Sequence, residues 1–78
     1  MMKLCLRFYY VNHRGEGHDY VLWPAVVKLA EDDHEYHAGH LILRGIVYEK
    51  DGAPKQEVRE FQITKMQSVT EVERKVLV

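Results

Sequence analysis

The stretch Arg59-Glu60-Phe61-Gln62-Ile63-Thr64-Lys65-Met66 alternates in the way that a β-strand requires. One face would carry Phe61 and Ile63 between the cations Arg59 and Lys65, and the other face would be polar. Two interpretations are open. Either the apolar centre is buried while the cations reach solvent at each end, or the cations line a groove.

Two strands are predicted upstream, in the first half of the chain. Alternating apolar side chains indicate a first strand over about residues 4–11, and a polar loop with two glycines follows it. The second strand covers about residues 19–29 and contains Pro24. Because proline cannot donate to a β-ladder, Pro24 marks an edge, a bulge or a sharp bend.

Three strands are predicted in the second half. The third, over about residues 40–48, is apolar on both faces, as a central strand would be. The fourth, over about residues 56–64, contains the opening stretch. A single helical turn is predicted at residues 65–68, before a fifth strand at about residues 69–74.

These elements predict an all-β chain. No span has the periodicity of an amphipathic helix, and the 78 residues suit one domain, residues 1–78. Gly45 inside the third strand indicates a bulge or a close backbone approach. Together with Pro24 it favours a small five-stranded antiparallel SH3-like or Sm-like barrel. A five-stranded open sheet is the alternative.

Charge and composition exclude some functions. The formal net charge is −1, with 11 cations and 12 anions, so the chain does not coat nucleic acid through bulk charge, although a local basic groove is compatible. No membrane-spanning helix or signal peptide is predicted. The single cysteine, Cys5, fits a reducing compartment, so we expect a cytoplasmic protein.

The chain resembles the WYL domain over roughly residues 4–73. Small stand-alone WYL-like proteins carry a Tyr-x-Asn-x-Arg-Gly-Glu hairpin, which Tyr10-Val11-Asn12-His13-Arg14-Gly15-Glu16 matches. The Trp-Tyr-Leu tripeptide of the family is absent, and His40-Leu41-Ile42 stands near its place. The further matching positions, mostly in the Arg-x-Phe-x-Ile-x-Lys-Met stretch, are Phe8, Pro24, Arg59, Phe61, Ile63, Lys65 and Met66.

The resemblance implies a bacterial or phage sensing module of the WYL type, linked to transcription regulation. It would bind a nucleotide, an oligonucleotide or another anionic ligand in a basic and aromatic groove. With no helix-turn-helix of its own, it would not read operator DNA by itself. Two alternatives are open: it acts alone, or it acts beside a separate DNA-binding protein. Arginine offers a fork for phosphate, and aromatic rings offer stacking surfaces. The candidate ligand-binding residues are Arg59, Lys65, Arg44, Arg7, Tyr9, Trp23 and Tyr36.

Several of these residues also have a structural interpretation. Arg44 lies in an apolar strand, where it would pair with a carboxylate. Arg7 would be solvated at the surface of the sheet. Trp23, beside Pro24, suits a core or corner position, and Tyr9 suits a half-buried strand position.

A group of histidines, His34, His37 and His40, has a spacing that resembles a metal site. That spacing brings ligands together only on a helix, and Ala38-Gly39 argues against one. Polar loop histidines are therefore the preferred interpretation, and we predict neither a metal nor a cofactor.

Catalysis is not predicted. The acids Asp32, Asp33 and Glu35 suit a solvated loop, and Ser68 and Cys5 are isolated from any partner at recognisable spacing.

The alternative function is protein–protein interaction or homo-oligomerisation. The chain closes on the apolar residues Val76-Leu77-Val78, and an edge strand or this tail could pair with another chain. The opposing interpretation is a tail packed on its own fold.

Overall fold

The computed structural model describes residues 1–29 and 40–76. Within them, the regular structure consists of five strands and one 3₁₀ turn at Ile63–Lys65. The strands are β1 (Met2–Val11), β2 (Gly17–Leu29), β3 (Leu41–Lys50), β4 (Ala53–Gln62) and β5 (Gln67–Lys75). No helix in these residues has the length and apolar character needed to cross a membrane.

The strands form one antiparallel sheet in the order β4-β3-β2-β1-β5. The prediction of an all-β fold with five antiparallel strands is confirmed. The sheet is not closed into a barrel: β4 and β5 are its two edges and do not pair with each other. The observed architecture is therefore the open-sheet alternative.

The predicted fourth strand, over about residues 56–64, ends earlier than expected. β4 stops at Gln62, and Ile63, Thr64 and Lys65 form the 3₁₀ turn, in which the Met66 amide donates to the Ile63 carbonyl at 3.1 Å. The chain must leave β4 here in order to cross to β5 beside β1. The predicted helical turn exists, but it lies two residues earlier than expected.

The core is built around Phe61, whose side chain is fully buried. Its ring centroid lies 4.9 Å from those of Phe8 and Tyr10 and 4.8 Å from that of Tyr20. Edge-on and tilted contacts of this kind add to the free energy of burying the rings. The same buried cluster includes Leu22, Leu43 and Val47.

A second, smaller cluster contains Cys5, Val21 and Val76. Val21 lies between Tyr20 and Leu22 on β2, so it points to the other face of the sheet. Val76 is 1% exposed, and its amide donates to the Met1 carbonyl at 3.0 Å. The first residue of the apolar tail thus packs on its own chain; residues 77 and 78 lie outside the described residues.

Both irregularities predicted for the strands are present. The pairing of β2 with β3 shifts register between Leu22 and Ala25, on either side of Pro24. A Cβ added at Gly45 would lie 2.7 Å from the Pro24 carbonyl oxygen. Gly45 therefore permits the close backbone approach that the sequence indicated.

Candidate anion-binding groove

An open cavity of about 510 Å³ lies beside β4. One wall comes from the end of β1 and the loop after it, and the other comes from β4, the 3₁₀ turn and one residue of β3. The lining residues are Tyr10, Asn12, His13, Arg44, Val58, Arg59, Glu60, Gln62 and Lys65. We call this cavity the β4 groove.

Three cations that the sequence indicated line the β4 groove together. Arg44 lies on β3, Arg59 on β4 and Lys65 on the 3₁₀ turn. Among the described residues that line the groove, Glu60 is the one carboxylate, so the formal charges of these residues sum to +2. Such an excess of positive charge favours an anion.

Arg59 is both a lining residue and a cover for the core. Its guanidinium carbon lies 5.8 Å from the ring centroids of Tyr20 and Phe61. Burial raises the pKa of the Tyr20 hydroxyl, and the nearby Arg59 charge opposes that rise. Arg59 therefore stabilises the fold whether or not it also binds a ligand.

Arg59 also has a carboxylate partner outside the groove lining. Its Nη1 lies 3.0 Å from Glu57 Oε1, and this hydrogen bond is the main reason why the pKa of Glu57 is lowered. The pair leaves other N–H donors of the guanidinium for a ligand, since the group carries five.

Arg44 shares Glu60 with Lys28, a cation of β2 that is not among the lining residues. Arg44 Nη1 lies 3.4 Å from Glu60 Oε2, and Lys28 Nζ lies 3.8 Å from the same oxygen. Both distances are long for charge-assisted hydrogen bonds. Arg44 is thus a paired residue, as its structural interpretation required, and it still reaches the groove.

Lys65 differs from the two arginines. Its side chain is exposed, and the described contacts give it no ion pair. Because no carboxylate of the described residues pairs with Lys65, an anion can bind this ammonium group without displacing one of them.

The other predicted residues lie elsewhere. Arg7 lines a separate cavity of about 350 Å³ with Arg74 and Glu49. Tyr9 is 38% exposed and leans across Gly17, and Trp23 lies under Lys3 Nζ at 5.4 Å. Tyr36 lies outside the described residues. Of the predicted aromatic residues that the structure describes, neither Tyr9 nor Trp23 therefore lies in the β4 groove with the three cations.

The sequence placed Asn12 and His13 in a hairpin loop but did not predict that they form the other wall of the groove. Asn12 Oδ1 accepts hydrogen bonds from the amides of Arg14 and Glu16, at 2.9 and 3.0 Å. This arrangement sets the loop and brings Asn12 and His13 to the groove. The Asn-x-x-Gly pattern signals a turn, but nothing in it indicates what the turn faces.

No metal centre is found in the part of the chain that the structure describes, where no three His, Cys, Asp or Glu side chains group together. His34 and His37 lie outside it, and His40 is exposed.

Burial raises the pKa of the Cys5 thiol, which is the opposite of what a nucleophilic cysteine requires.

Comparison with known proteins adds no relative. No protein family, no curated protein and no solved structure matches this chain.

Proposed function

We propose that this chain is a non-catalytic module that binds an anionic ligand, such as a nucleotide or an oligonucleotide, in the β4 groove. The observation that carries the proposal is the convergence of Arg44, Arg59 and Lys65 on one open cavity from three different elements. Cations separated by as many as 21 positions in the sequence come together only through the fold.

The ligand is recognised through its phosphate groups rather than its bases. Tyr10 is the one tyrosine among the described lining residues, and it is 6% exposed and belongs to the core. Tyr9 and Trp23 line other surfaces. Within the described residues, the groove combines three cations with little exposed aromatic area, which favours phosphate over stacked bases.

We also propose that this module is a WYL-type regulator that acts in the cytoplasm, with a DNA-binding protein as its candidate partner. This part of the proposal rests on the sequence resemblance. We propose in addition that the fold is a partly closed relative of the SH3-like or Sm-like barrel, and one contact supports this. The Tyr10 hydroxyl accepts a hydrogen bond from the Gln62 amide at 3.0 Å, which brings β1 up to the edge strand β4.

The experiment is a fluorescence anisotropy titration with a labelled single-stranded oligonucleotide of roughly eight nucleotides. We expect binding at about 50 mM salt that weakens markedly at about 200 mM. Lys65→Ala should weaken it by about tenfold, the loss expected from one charge-assisted contact. Inorganic polyphosphate should compete with the oligonucleotide.

Two further variants make the titration specific. Lys75→Ala removes an exposed cation of β5 that is not part of the groove, and it should leave the affinity within about twofold. Arg59→Ala is informative only beside an unfolding curve, because Arg59 also covers the core. Absence of binding at low salt, or equal losses in Lys65→Ala and Lys75→Ala, would contradict the proposal.

A further inference from the structure

β2 extends well beyond its pairing with β1. The last pair between them is Leu6 with Leu22, whereas β2 continues to Leu29. On its other side β2 keeps its partner, from Ala25 opposite Gly45 to the end of the strand. Residues 24–29 therefore present an outer edge that no strand of the described residues covers, which we call the β2 edge.

The β2 edge is apolar on both faces of the sheet. Val26 and Val27 point to opposite faces, and each is 60% exposed. Leu29 is 63% exposed, and Leu41 beside it on β3 is 56% exposed. Lys28 is the one charged residue of the segment.

The edge strands β4 and β5 are built differently. Charged side chains and Pro54 occupy β4, and charged side chains occupy the end of β5. These residues are Lys55, Glu57, Arg59 and Glu60 on β4, and Glu71, Glu73, Arg74 and Lys75 on β5. Charges and proline are the usual means by which edge strands avoid pairing with other chains. The β2 edge lacks that protection.

We propose that the β2 edge pairs with the β2 edge of a second copy of this chain. Two identical strands pair antiparallel about a twofold axis, and here the axis passes through Val27. This register places Val26 opposite Lys28 and Ala25 opposite Leu29. The two lysines are then not opposite each other, so no like charges face across the interface.

A second copy suits this edge for two further reasons. Strand pairing satisfies the backbone groups of both chains at once, and both chains cover Val26, Val27 and Leu29 in the same step. A chain of 78 residues is also close to the size at which oligomerisation supplements a small core. The resulting sheet would run continuously from β4 of one copy to β4 of the other.

The β2 edge and the β4 groove adjoin each other at β3. Arg44 pairs with Val26 of the β2 edge and with Glu60 of β4, and Lys28 Nζ lies 3.8 Å from Glu60 Oε2. The two proposals are nevertheless tested separately, because the anion titration follows Lys65→Ala whereas the mass measurement follows Val27→Lys.

The test is the mass of the full chain by light scattering or sedimentation over roughly a hundredfold range of concentration. The wild type should reach twice the chain mass of 9.2 kDa. Val27→Lys should stay monomeric, because it places two charges at the axis. Val69→Lys, at an exposed β5 residue, should dimerise like the wild type.

A second variant tests the register. Val27→Cys should form a disulfide between two copies on mild oxidation, whereas Val69→Cys should not; the native Cys5 is 1% exposed. A wild type that is monomeric throughout, as it would be if another segment covered the edge, overturns the proposal. So does a dimeric Val27→Lys, and failure of Val27→Cys to cross-link overturns the register.

Discussion

The Tyr10 hydroxyl oxygen accepts a hydrogen bond from the Gln62 backbone amide, at 3.0 Å and across 52 positions of the chain. Tyr10 lies near the end of β1, and Gln62 is the last residue of the edge strand β4. These strands do not pair, so this contact joins two parts of the sheet that the β-ladders leave apart. It also holds the two walls of the β4 groove at a set distance.

Tyr10→Phe should therefore destabilise the fold although the ring is kept. Gln62 is 6% exposed, so its amide would lose the hydrogen bond to the Tyr10 hydroxyl in a place that water reaches poorly. The free energy of unfolding in urea should fall by about 1–3 kcal/mol. Tyr9→Phe, at an exposed ring, is the matched control and should change it by less than about 0.5 kcal/mol. Equal stability of Tyr10→Phe and the wild type would show that the contact contributes nothing.

Phe61→Ala should lower the free energy of unfolding far more than Tyr10→Phe does. The ring is fully buried and contacts Phe8, Tyr10 and Tyr20, so its removal leaves a cavity at the centre of the core. We expect a loss of about 3–5 kcal/mol, comparable with the whole stability of a small domain. Val58→Ala, at a 55% exposed position of the same strand, should stay near the wild type in the same circular dichroism melt.

Gly45→Ala should destabilise through a backbone clash. The added Cβ would lie 2.7 Å from the Pro24 carbonyl oxygen and 3.0 Å from Ala25 Cβ, and both belong to the adjoining β2. Overpacking of this kind costs about 1–3 kcal/mol in urea unfolding.

Gly17→Ala provides the contrast for Gly45→Ala. The three atoms nearest to its Cβ all belong to the exposed Tyr9 side chain, which can rotate away. Its measured loss should be clearly smaller than that of Gly45→Ala, and the reverse order would contradict the assignment of Gly45 as a close-approach position.

Asp51 should make stability depend on pH in acid. Its carboxylate accepts a hydrogen bond from the Asp19 amide at 2.8 Å and lies 2.6 Å from His18 Nδ1, and these contacts lower its pKa from the usual 3.8. Because the pKa is lowered in the folded state, the ionised group stabilises the fold above pH 3.8. That stabilisation is lost as the pH falls through the folded-state pKa.

The comparison that isolates this group is Asp51→Asn, which keeps the shape and the tolerance of positive φ that residue 51 requires. The wild type should be the more stable protein near pH 6, and the difference should shrink below pH 3.8 in urea unfolding series. Glu71→Gln, at an exposed carboxylate of β5, should follow the wild type at every pH. A difference between the wild type and Asp51→Asn that does not change with pH would refute the assignment.

Much of the fold could be predicted from local pattern. The alternation of apolar side chains indicated five strands, and Pro24 and Gly45 indicated where β2 and β3 become irregular. The end of β4 could not be predicted in this way, because Ile63 and Lys65 continue the alternation past Gln62. The strand ends there since the chain has to cross to β5.

The same distinction between local pattern and tertiary structure applies to the candidate site. The sequence by itself determined the residue types that can bind an anion, Arg44, Arg59 and Lys65, and the core position of Phe61, since charge and strand periodicity are local properties. Only the tertiary structure decided that these cations meet in one groove while Tyr9 and Trp23 lie elsewhere. The reason is physical: the contact of Tyr10 with Gln62 and the ordering of the strands depend on residues far apart in the chain, and no local pattern records them.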